Sequence, residues 1–384
     1  MSITSASLIN SRIESDGVLR FQLENVNHSI ANALRRTILS DIPCLAFKTT
    51  PHNENEANFI KNTTRLNNEI LKQRLACIPI HIKDLDSDYR NLVVEIEKKN
   101  ETENVILVTT EDFKIKDTNT DTYLSTQAVN KIFPPNSLTG DHIIFCRLKP
   151  RISNEVPGEE IKVHAKISLQ TAAVNSAYNV ASTCAYGNSV DKVKQDEKWQ
   201  EIREKISEQV EESEIKSESI ELAKQNWYNH EGKRITLENS FDFIIESVGV
   251  YKNCELVEKA CDVLIKGLTD IMNMAQQDEL NIVKSENTIA NCYDIILQNT
   301  DYTLGKSIEY GLFEKFFNDD ENRHLSYIAF ALYHPHDDYS VIRLAFMESE
   351  FESNTDFISM CRQDISMACG FCVQLFADIK SDFV

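Results

Sequence analysis

The sequence predicts an α+β protein in which one chain holds two similar strand-and-helix units, with a mostly β insert in the first. Three observations predict this class. A strand followed by a capped amphipathic helix occupies residues 19–38, a weaker copy returns at residues 297–312, and β-rich runs alternate with turns over residues 81–170. A period of two indicates strands, whereas apolar residues every three or four positions indicate helices.

The first copy, residues 25–48, reads NVNHSIANALRRTILSDIPCLAFK and organises the chain. It follows a strand-like run, and its polar residues suit a helix start because their side chains accept unpaired backbone N–H bonds. Pro43 ends the helix, and residues 44–47 read as a short strand. The starting residues are Asn25, Asn27 and Ser29, and the apolar stripe is Ile30, Leu34 and Ile38.

The second copy lies 274 positions further along the chain. This shift aligns Leu23 with Leu297, Asn25 with Asn299, Asn27 with Asp301, Ser29 with Thr303, Ile30 with Leu304, Leu34 with Ile308 and Ile38 with Leu312. Two distant copies predict two similar half-units, since a solenoid needs three or more repeats. The alternative is a chance match, because any capped amphipathic helix after a strand fits the pattern loosely.

The same patterns predict the domain boundaries. Residues 1–48 with 236–276 form the first unit, residues 49–235 the insert, residues 277–287 a polar linker, and residues 288–384 the second unit. In the insert, residues 78–80 (Ile-Pro-Ile) read as an edge strand broken by proline. Residues 190–235 are rich in charged helix formers and predict one or two exposed helices, whose charges form either a solvated face or a docking surface.

Composition limits the classes of partner. The chain has 40 Lys and Arg against 60 Asp and Glu, a formal net charge of −20, which repels a phosphate backbone and disfavours nucleic acid as the main ligand. There is no run of 18 apolar residues, and the N-terminal sequence lacks a basic and then apolar signal pattern. We therefore expect a soluble, intracellular protein without a membrane partner.

The ten cysteines are scattered through apolar stretches, which predicts reduced core thiols. Cys369 and Cys372 form a CxxC pair without a second pair at zinc spacing, so no metal and no cofactor are expected. An enzyme is the rival class, with Cys184 and His164, or His334 and His336, as nucleophile and base or as metal ligands. These residues lack a glycine elbow or spaced carboxylates, and we expect no catalytic residues.

Three motifs resemble those of the α-type assembly subunits of multisubunit DNA-directed RNA polymerases. Residues 29–36 followed by Ile42-Pro43 are similar to that family's A-N-A-L-R-R motif and the turn after it. Residues 62–80 are similar to its N-T-S-x-L-x-D-E-x-x-x-H-R-L-G-L-I-P-L block, although Asn68 and Gln73 replace the usual Asp and His. Residues 163–166 resemble the H-A-K element of the insert domain.

The C-terminal unit resembles the smaller partner of the same family. Residues 301–305 (DYTLG) are close to its D-H-T-L-G motif, and residues 333–336 (YHPH) to its Y-x-x-P-H-P turn. The two resemblances cover nearly the whole chain except residues 190–235. Cellular organisms carry the third-subunit and eleventh-subunit types as separate chains, so a fusion resembles the arrangement in large nucleocytoplasmic DNA viruses.

The resemblance implies a non-catalytic assembly platform of a nucleotidyltransferase complex, in which the two units pair within one chain as a heterodimer about a pseudo-twofold axis. The implied partners are the largest and second-largest polymerase subunits and other small subunits, with no direct sequence-specific binding of nucleic acid. The implied dimer interface is Ile30, Leu34, Ile38, Leu304, Ile308 and Leu312. The implied docking residues for the large subunits are Arg35, Arg36, Glu69, Arg74 and Lys166.

Two further expectations follow from the resemblance. Some members carry a cysteine cluster in the insert, but Cys77, Cys146 and Cys184 are too far apart in the sequence to reproduce it, so no metal is implied. A viral polymerase subunit would be found in the host cytoplasm, within a viral factory, and in the virion, with the nucleus as an alternative. An interaction scaffold outside transcription is the alternative function, since a fold does not fix a function.

Overall fold

A computed structural model describes residues 6–13, 16–153, 155–209, 213–347 and 353–383. The chain divides into two compact units. The repeat unit consists of Met1–Arg35, Cys184–Ile245 and Leu264–Val384. The insert unit consists of Arg36–Thr183 and Glu246–Val263.

The helices and strands are numbered in chain order. Helices α1 to α8 are His28–Ser40, Asn68–Ala76, Thr126–Ile132, Lys192–Gln209, Ser213–Asn229, Asn253–Gln276, Tyr302–Phe316 and Asn354–Ser381. Strands β1 to β9 are Ser7–Ile13, Leu19–Glu24, Cys44–Ala46, Ala57–Asn62, Leu92–Lys99, Ile106–Thr109, Phe113–Asp117, Thr122–Tyr123 and Ile144–Leu148. Strands β10 to β17 are Glu160–Lys166, Ser168–Gln170, Ala181–Val190, Thr236–Ser247, Asn281–Lys284, Cys292–Gln298, Leu325–Ala331 and Tyr339–Phe346.

The repeat unit contains two four-stranded sheets, with strand orders β1-β2-β13-β12 and β14-β15-β17-β16. In the first sheet β2 and β13 are antiparallel, and their facing rings Phe21 and Phe243 stack at 5.0 Å between centroids. In the second sheet β15 and β17 are antiparallel, and Ile295 lies opposite Ile342. Every second residue of β2 is buried, and burial alternates along most of β15, whereas nearly all of β17 is buried. Alternate burial indicates that a strand presents one apolar face to a core.

The two copies of the strand-and-helix pattern have the same local structure. Asn25 and Asn299, which are 274 positions apart, both adopt a left-handed backbone, with φ of 61° and 50°. Helices α1 and α7 begin at His28 and Tyr302, the same 274 positions apart. Asparagine is among the few residues that tolerate the left-handed region, so it suits a sharp turn between a strand and a helix.

Helix α7 packs closely on α8. A Cβ atom at Gly311 would lie 2.8 Å from the Ala368 carbonyl oxygen and 3.1 Å from Cys372 Sγ. The Cys372 thiol donates a hydrogen bond to the Ser307 carbonyl oxygen at 3.1 Å. The CxxC cysteines, Cys369 and Cys372, are both completely buried, as the core-thiol interpretation predicts.

Helices α4 and α5 form a hairpin in the repeat unit. Its seam contains the buried Trp199, whose ring contacts Tyr228 at 6.2 Å between centroids, and Trp227 Nε1, which donates to the Gln195 carbonyl oxygen at 3.3 Å. The charged side chains of Glu197, Lys198 and Glu201 are exposed on the other side. The sequence prediction of one or two exposed helices in residues 190–235 is confirmed as two.

The insert unit is built on a five-stranded antiparallel sheet with strand order β4-β10-β5-β7-β8, beside a two-stranded ribbon of β6 and β9. Its core is mostly aliphatic and includes a group of aromatic rings: Phe113 makes edge-to-face contacts with Phe133 and Phe145, at 5.3 and 6.1 Å between centroids. Helix α2 is capped by Asn67, whose side chain accepts a hydrogen bond from Ile70 N at 2.9 Å. This cap fixes where the motif of residues 62–80 becomes helical.

The edge strand predicted at residues 78–80 is wrong. After α2 the chain turns instead, with Ile78 N donating to the Leu75 carbonyl oxygen at 3.1 Å. Ile78 and Ile80 are buried in the insert core, so their apolar pattern comes from packing in a loop and not from strand pairing.

Strand β14 lies within the range predicted as a linker, and β12 lies within the range predicted as the insert.

The packing of Gly305 can be tested. A Cβ atom there would lie 2.0 Å from Phe330 Cε2, and Phe330 is itself buried. Gly305→Ala should lower the free energy of unfolding by about 1–2 kcal/mol, because overpacking outweighs the better helix propensity of alanine. Denaturant titration measures the change. Gly187→Ala is the matched control, since no atom lies within 4 Å of its Cβ position, and equal losses in both variants would contradict the packing argument.

Candidate assembly surfaces

Helix α1 is fixed at its start by Asn27, whose Oδ1 accepts from Ser29 N at 2.9 Å. The apolar stripe predicted from the sequence is completely buried: Ile30, Leu34 and Ile38 are all 0% exposed. The same local structure begins α7, where Asp301 Oδ1 accepts from Thr303 N at 2.8 Å. A capped start sets the rotation of the helix, and so decides which face the stripe occupies.

The stripe on α7 is also largely buried. Ile308 and Leu312 are 0% exposed, and Leu304 is partly buried. The Leu304 side chain lies over α6, because a Cβ atom at Gly267 would be 2.8 Å from Leu304 Cδ1. This contact joins a residue of the predicted dimer interface to a helix that the sequence assigns to the first unit.

Helices α6 and α8 are also in contact. Gln276 Nε2 donates to Ser366 Oγ at 3.2 Å, and a Cβ atom at Gly370 would lie 4.0 Å from Met272 Sδ. The Arg362 guanidinium pairs with the Asp278 carboxylate at 2.9 Å just beyond α6. The long helix that the sequence assigns to the first half therefore packs against both helices of the second half, within the repeat unit.

A groove of about 480 Å³ lies between the start of α1 and one side of α7. Burial raises the pKa of Tyr310, one of its lining residues, to about 12, so this hydroxyl stays protonated at neutral pH. Both aromatic and polar side chains line this groove between the two repeated helices. Its lining residues are Asn27, His28, Ser29, Asn32, Tyr186, Tyr302, Lys306, Glu309, Tyr310, Phe313 and Ile328.

The two motif arginines lie next to one another on α1, and both are partly exposed. Arg35 Nε and Nη2 donate to Asn32 Oδ1 at 3.1 and 2.9 Å, so the side chain is held one turn back along the helix. The guanidinium has five N–H donors, and those that Asn32 does not use can reach a carboxylate. The hydrogen bonds to Asn32 therefore restrict the orientation of the Arg35 guanidinium.

The docking residues predicted in the insert differ from one another in their internal contacts. The Arg74 guanidinium donates to the carbonyl oxygens of Phe145 and Ile144, both at 2.6 Å, and so joins α2 to β9. The Glu69 carboxylate accepts from Lys72 Nζ at 3.1 Å and is 68% exposed. Lys166 is exposed at the end of β10. Arg74 thus has a structural role that its motif position did not reveal.

The structural role of Arg74 can be measured. Arg74→Ala should lower the free energy of unfolding by about 1–3 kcal/mol, because two backbone carbonyls lose a charged donor. Lys166→Ala is the control, and should change stability by less than about 0.5 kcal/mol, as at other exposed positions. Urea titrations of the two variants decide the point. Equal midpoints would show that the two hydrogen bonds of Arg74 contribute nothing.

Cys184, His334 and His336 are candidate catalytic residues or metal ligands, and the structure shows their surroundings. Burial raises the pKa of the Cys184 thiol to about 12, whereas a nucleophilic cysteine needs a lowered pKa. His334 and His336 form the turn between β16 and β17, where His336 N donates to His334 Nδ1 at 3.1 Å. Their rings lie 5.1 Å apart between centroids and are exposed.

The described ranges give two further findings on sites. No group of three or more His, Cys, Asp or Glu side chains within them is placed to hold a metal ion. In the same part of the chain, no helix is both long enough and apolar enough to cross a membrane.

The fold contains two capped helices at the spacing of the sequence repeat, and the apolar stripes of both are largely buried. Residues 20–268 match the model of the RNA polymerase Rpb3/Rpb11 dimerisation domain, and the chain belongs to this family. At the level of the family, the match confirms the resemblance of the motifs to RNA polymerase assembly subunits.

Individual relatives agree with the family match. The chain is 25% identical to the DNA-directed RNA polymerase subunit Rpo3 of Methanosphaera stadtmanae over 286 residues, which cover 71% of this chain and 99% of that relative. The chain is also 25% identical to the DNA-directed RNA polymerases I and III subunit rpac1 of Dictyostelium discoideum over 292 residues, which cover 67% of this chain and 79% of that relative. A segment of 62 residues, 16% of this chain and 21% of the relative, is 42% identical to Rpo3 of Pyrococcus furiosus.

Proposed function

We propose that this protein is a non-catalytic assembly subunit of a DNA-directed RNA polymerase, in which two dimerisation units of one chain pair as an intramolecular heterodimer. The observation that carries the proposal is the repeated turn, cap and helix. Asn25 and Asn299 share a left-handed backbone, and α1 and α7 start at the same spacing. The family match includes the first copy of this element, so the second copy supplies the partner that such a domain requires.

Within this proposal the two units face one another about a pseudo-twofold axis. The contacts of α6 with α7 and α8 support it, since they join helices that the sequence assigns to different units. The buried residues Ile30 and Leu34 on α1, and Leu304, Ile308 and Leu312 on α7, belong to the shared core. Ile38, the last residue of the α1 stripe, stays a prediction as an interface residue.

Fusion of the two units has a physical consequence. A partner held on the same chain is present at a high effective concentration, so pairing no longer depends on the concentration of a second subunit. The resemblance of the C-terminal unit to the eleventh-subunit type motivates this part of the proposal. The fused arrangement also motivates the prediction of a viral polymerase, acting in the host cytoplasm and carried in the virion.

The paired units are proposed to carry the largest and second-largest subunits. Arg35 and Arg36 would dock the second-largest subunit through its carboxylates, because a guanidinium binds a carboxylate with two parallel hydrogen bonds. The hydrogen bonds from Arg35 to Asn32 support this role, since they lower the conformational freedom that docking has to remove. Lys166 and Glu69 are exposed and would add contacts, also to other small subunits, while Arg74 would do so only through donors that Ile144 and Phe145 leave unused.

The arginine pair is tested by capture. Arg35→Ala with Arg36→Ala should leave the protein folded and weaken retention of the second-largest subunit by about tenfold or more, because charged hydrogen bonds across an interface are lost. Quantitative mass spectrometry of the tagged complex measures retention. Arg203→Ala with Lys205→Ala, two exposed residues of α4, is the control. Unchanged retention in the α1 variant would refute the docking role.

The buried apolar stripe on α1 can be tested by introducing a charged side chain into it. Leu34→Asp should lower the free energy of unfolding by about 3–5 kcal/mol, enough to unfold the repeat unit or open its pairing, since it buries a carboxylate without a partner. Val193→Asp, at a position 69% exposed, is the control and should have little effect. Calorimetry gives the melting temperature of each. A Leu34→Asp variant that melts with the wild type would count against the interface.

Co-purification separates this function from the alternative, an interaction scaffold outside transcription. A tagged chain expressed in its native source should bring down the two large polymerase subunits in a fixed ratio. Recovery of other proteins without these two subunits would favour the scaffold and overturn the assembly proposal.

A further inference from the structure

The ribbon of β6 and β9 in the insert unit carries exposed aliphatic side chains that the proposed pairing and docking do not use, beside Arg74, which the proposed docking does use. Four aliphatic side chains on or beside the ribbon are between 38% and 57% exposed, and one on α2 is 42% exposed. We call these five residues the ribbon face: Ile70, Val105, Leu107, Ile143 and Ile144. Clustered aliphatic side chains of this kind mark interaction sites more often than single exposed ones do.

The strand register places two of these side chains, Leu107 and Ile144, on one side of the ribbon. Leu107 lies opposite Arg147, and Thr109 lies opposite Ile144, with a register shift between them. The alternate residues Val108 and Cys146 lie opposite one another and are buried in the insert core. Because successive strand residues point to opposite faces, Leu107, Ile144 and Arg147 share the outward face of the ribbon.

Helix α2 extends this face. Arg74 donates to the carbonyl oxygens of Ile144 and Phe145, which holds the helix against β9. Ile70 lies one turn before Arg74, so both residues are on the side of the helix that adjoins the ribbon. Leu107, Ile144 and Ile70 therefore lie beside two arginines, Arg74 and Arg147.

The arginines give this surface a positive character in a chain whose formal net charge is −20. The nearby Asp112 carboxylate is occupied, because Lys98 Nζ donates to both its oxygens at 2.6 and 2.7 Å. In the described part of the chain, no carboxylate pairs with Arg74 or Arg147. In the sequence, Glu103 precedes β6 and Glu111 follows it, so neither lies in the strand itself.

We propose that the ribbon face binds a segment of another polymerase subunit that carries aliphatic side chains flanked by carboxylates. The aliphatic residues would cover Leu107 and Ile144, and the carboxylates would pair with Arg147 and with the free donors of Arg74. The identity of the partner as a polymerase subunit rests on the proposed function, whereas its chemistry follows from the surface.

Two other occupants fit this surface less well. In a two-fold pairing, a second copy of the chain would bring two positive ribbon faces together, and the five residues of the ribbon face include no carboxylate to pair with the arginines. A nucleic acid strand would meet the arginines, but its bases stack on aromatic rings, and the ribbon face is aliphatic. An acidic and apolar polypeptide segment matches both properties at once.

The test uses the full chain, co-expressed and purified as the polymerase in its native source. Leu107→Asp and Arg147→Glu should each reduce retention of one and the same subunit by about 10- to 30-fold, with the remaining subunits unchanged. Leu222→Asp and Arg203→Glu, two exposed positions of the α4–α5 hairpin, are the matched controls. Melting curves of the isolated variants check that each one is folded.

A photo-crosslinking side chain at position 107 identifies what covers the surface. The expected product joins position 107 to a segment of the subunit lost in the variants, and that segment contains aliphatic residues flanked by Asp or Glu. Crosslinks to a second copy of this chain, to nucleic acid or to a basic segment would overturn the proposal.

The outcomes separate the two proposals. If the wild-type chain brings down the large subunits and folded Leu107→Asp and Arg147→Glu retain every subunit as well as the controls do, the ribbon face is not a docking site, and the assembly function stands. If the wild-type chain brings down no polymerase subunit, the assembly function fails, and the ribbon-face proposal fails with it.

Discussion

The close packing of helix α7 is the constraint on which the rest of the repeat unit depends. Three of its neighbours approach it at positions where a side chain is absent. Phe330 of β16 lies against Gly305, α8 lies against Gly311, and Leu304 fills the space over Gly267 of α6. Helices can approach this closely only where small residues line the contact, because interiors are packed at the density of organic crystals. Side chains at these glycines would separate the helices and expose the stripe between them.

This packing explains why the repeat is imperfect in sequence and nevertheless regular in local structure. Asn25 and Asn299 keep the left-handed turn, while Asn27 and Asp301 keep the cap with different side chains. A carboxylate and an amide oxygen accept the same backbone N–H, so either residue starts the helix correctly. The stripes can then vary among Leu and Ile, since volume and burial matter more there than identity.

The insert unit uses arginines in two different ways, and both depend on geometry. Arg74 joins α2 to β9 through two backbone carbonyls, so part of its capacity is used inside the unit. Arg147 stands on an outward face beside exposed aliphatic side chains. In an acidic protein such local positive surfaces matter for specificity, because they favour acidic partners and repel basic ones. The positions of the exposed side chains on the ribbon face are therefore set by strand register and not by the overall charge of the chain.

Much of the fold could be predicted from the sequence by itself. The strand, cap and stripe at residues 19–38 and their copy near residues 297–312 were visible because helix and strand periodicities are local. The family motifs pointed to the dimerisation domain for the same reason. The edge strand at residues 78–80 was wrong, because burial of Ile78 and Ile80 in a loop produces the same apolar pattern as a strand does. Only the tertiary structure decided that Leu304 meets Gly267, that Arg74 holds β9, and that Leu107 and Ile144 are exposed on paired strands. These contacts join residues far apart in the chain, and local sequence carries no record of the partner that long-range packing selects.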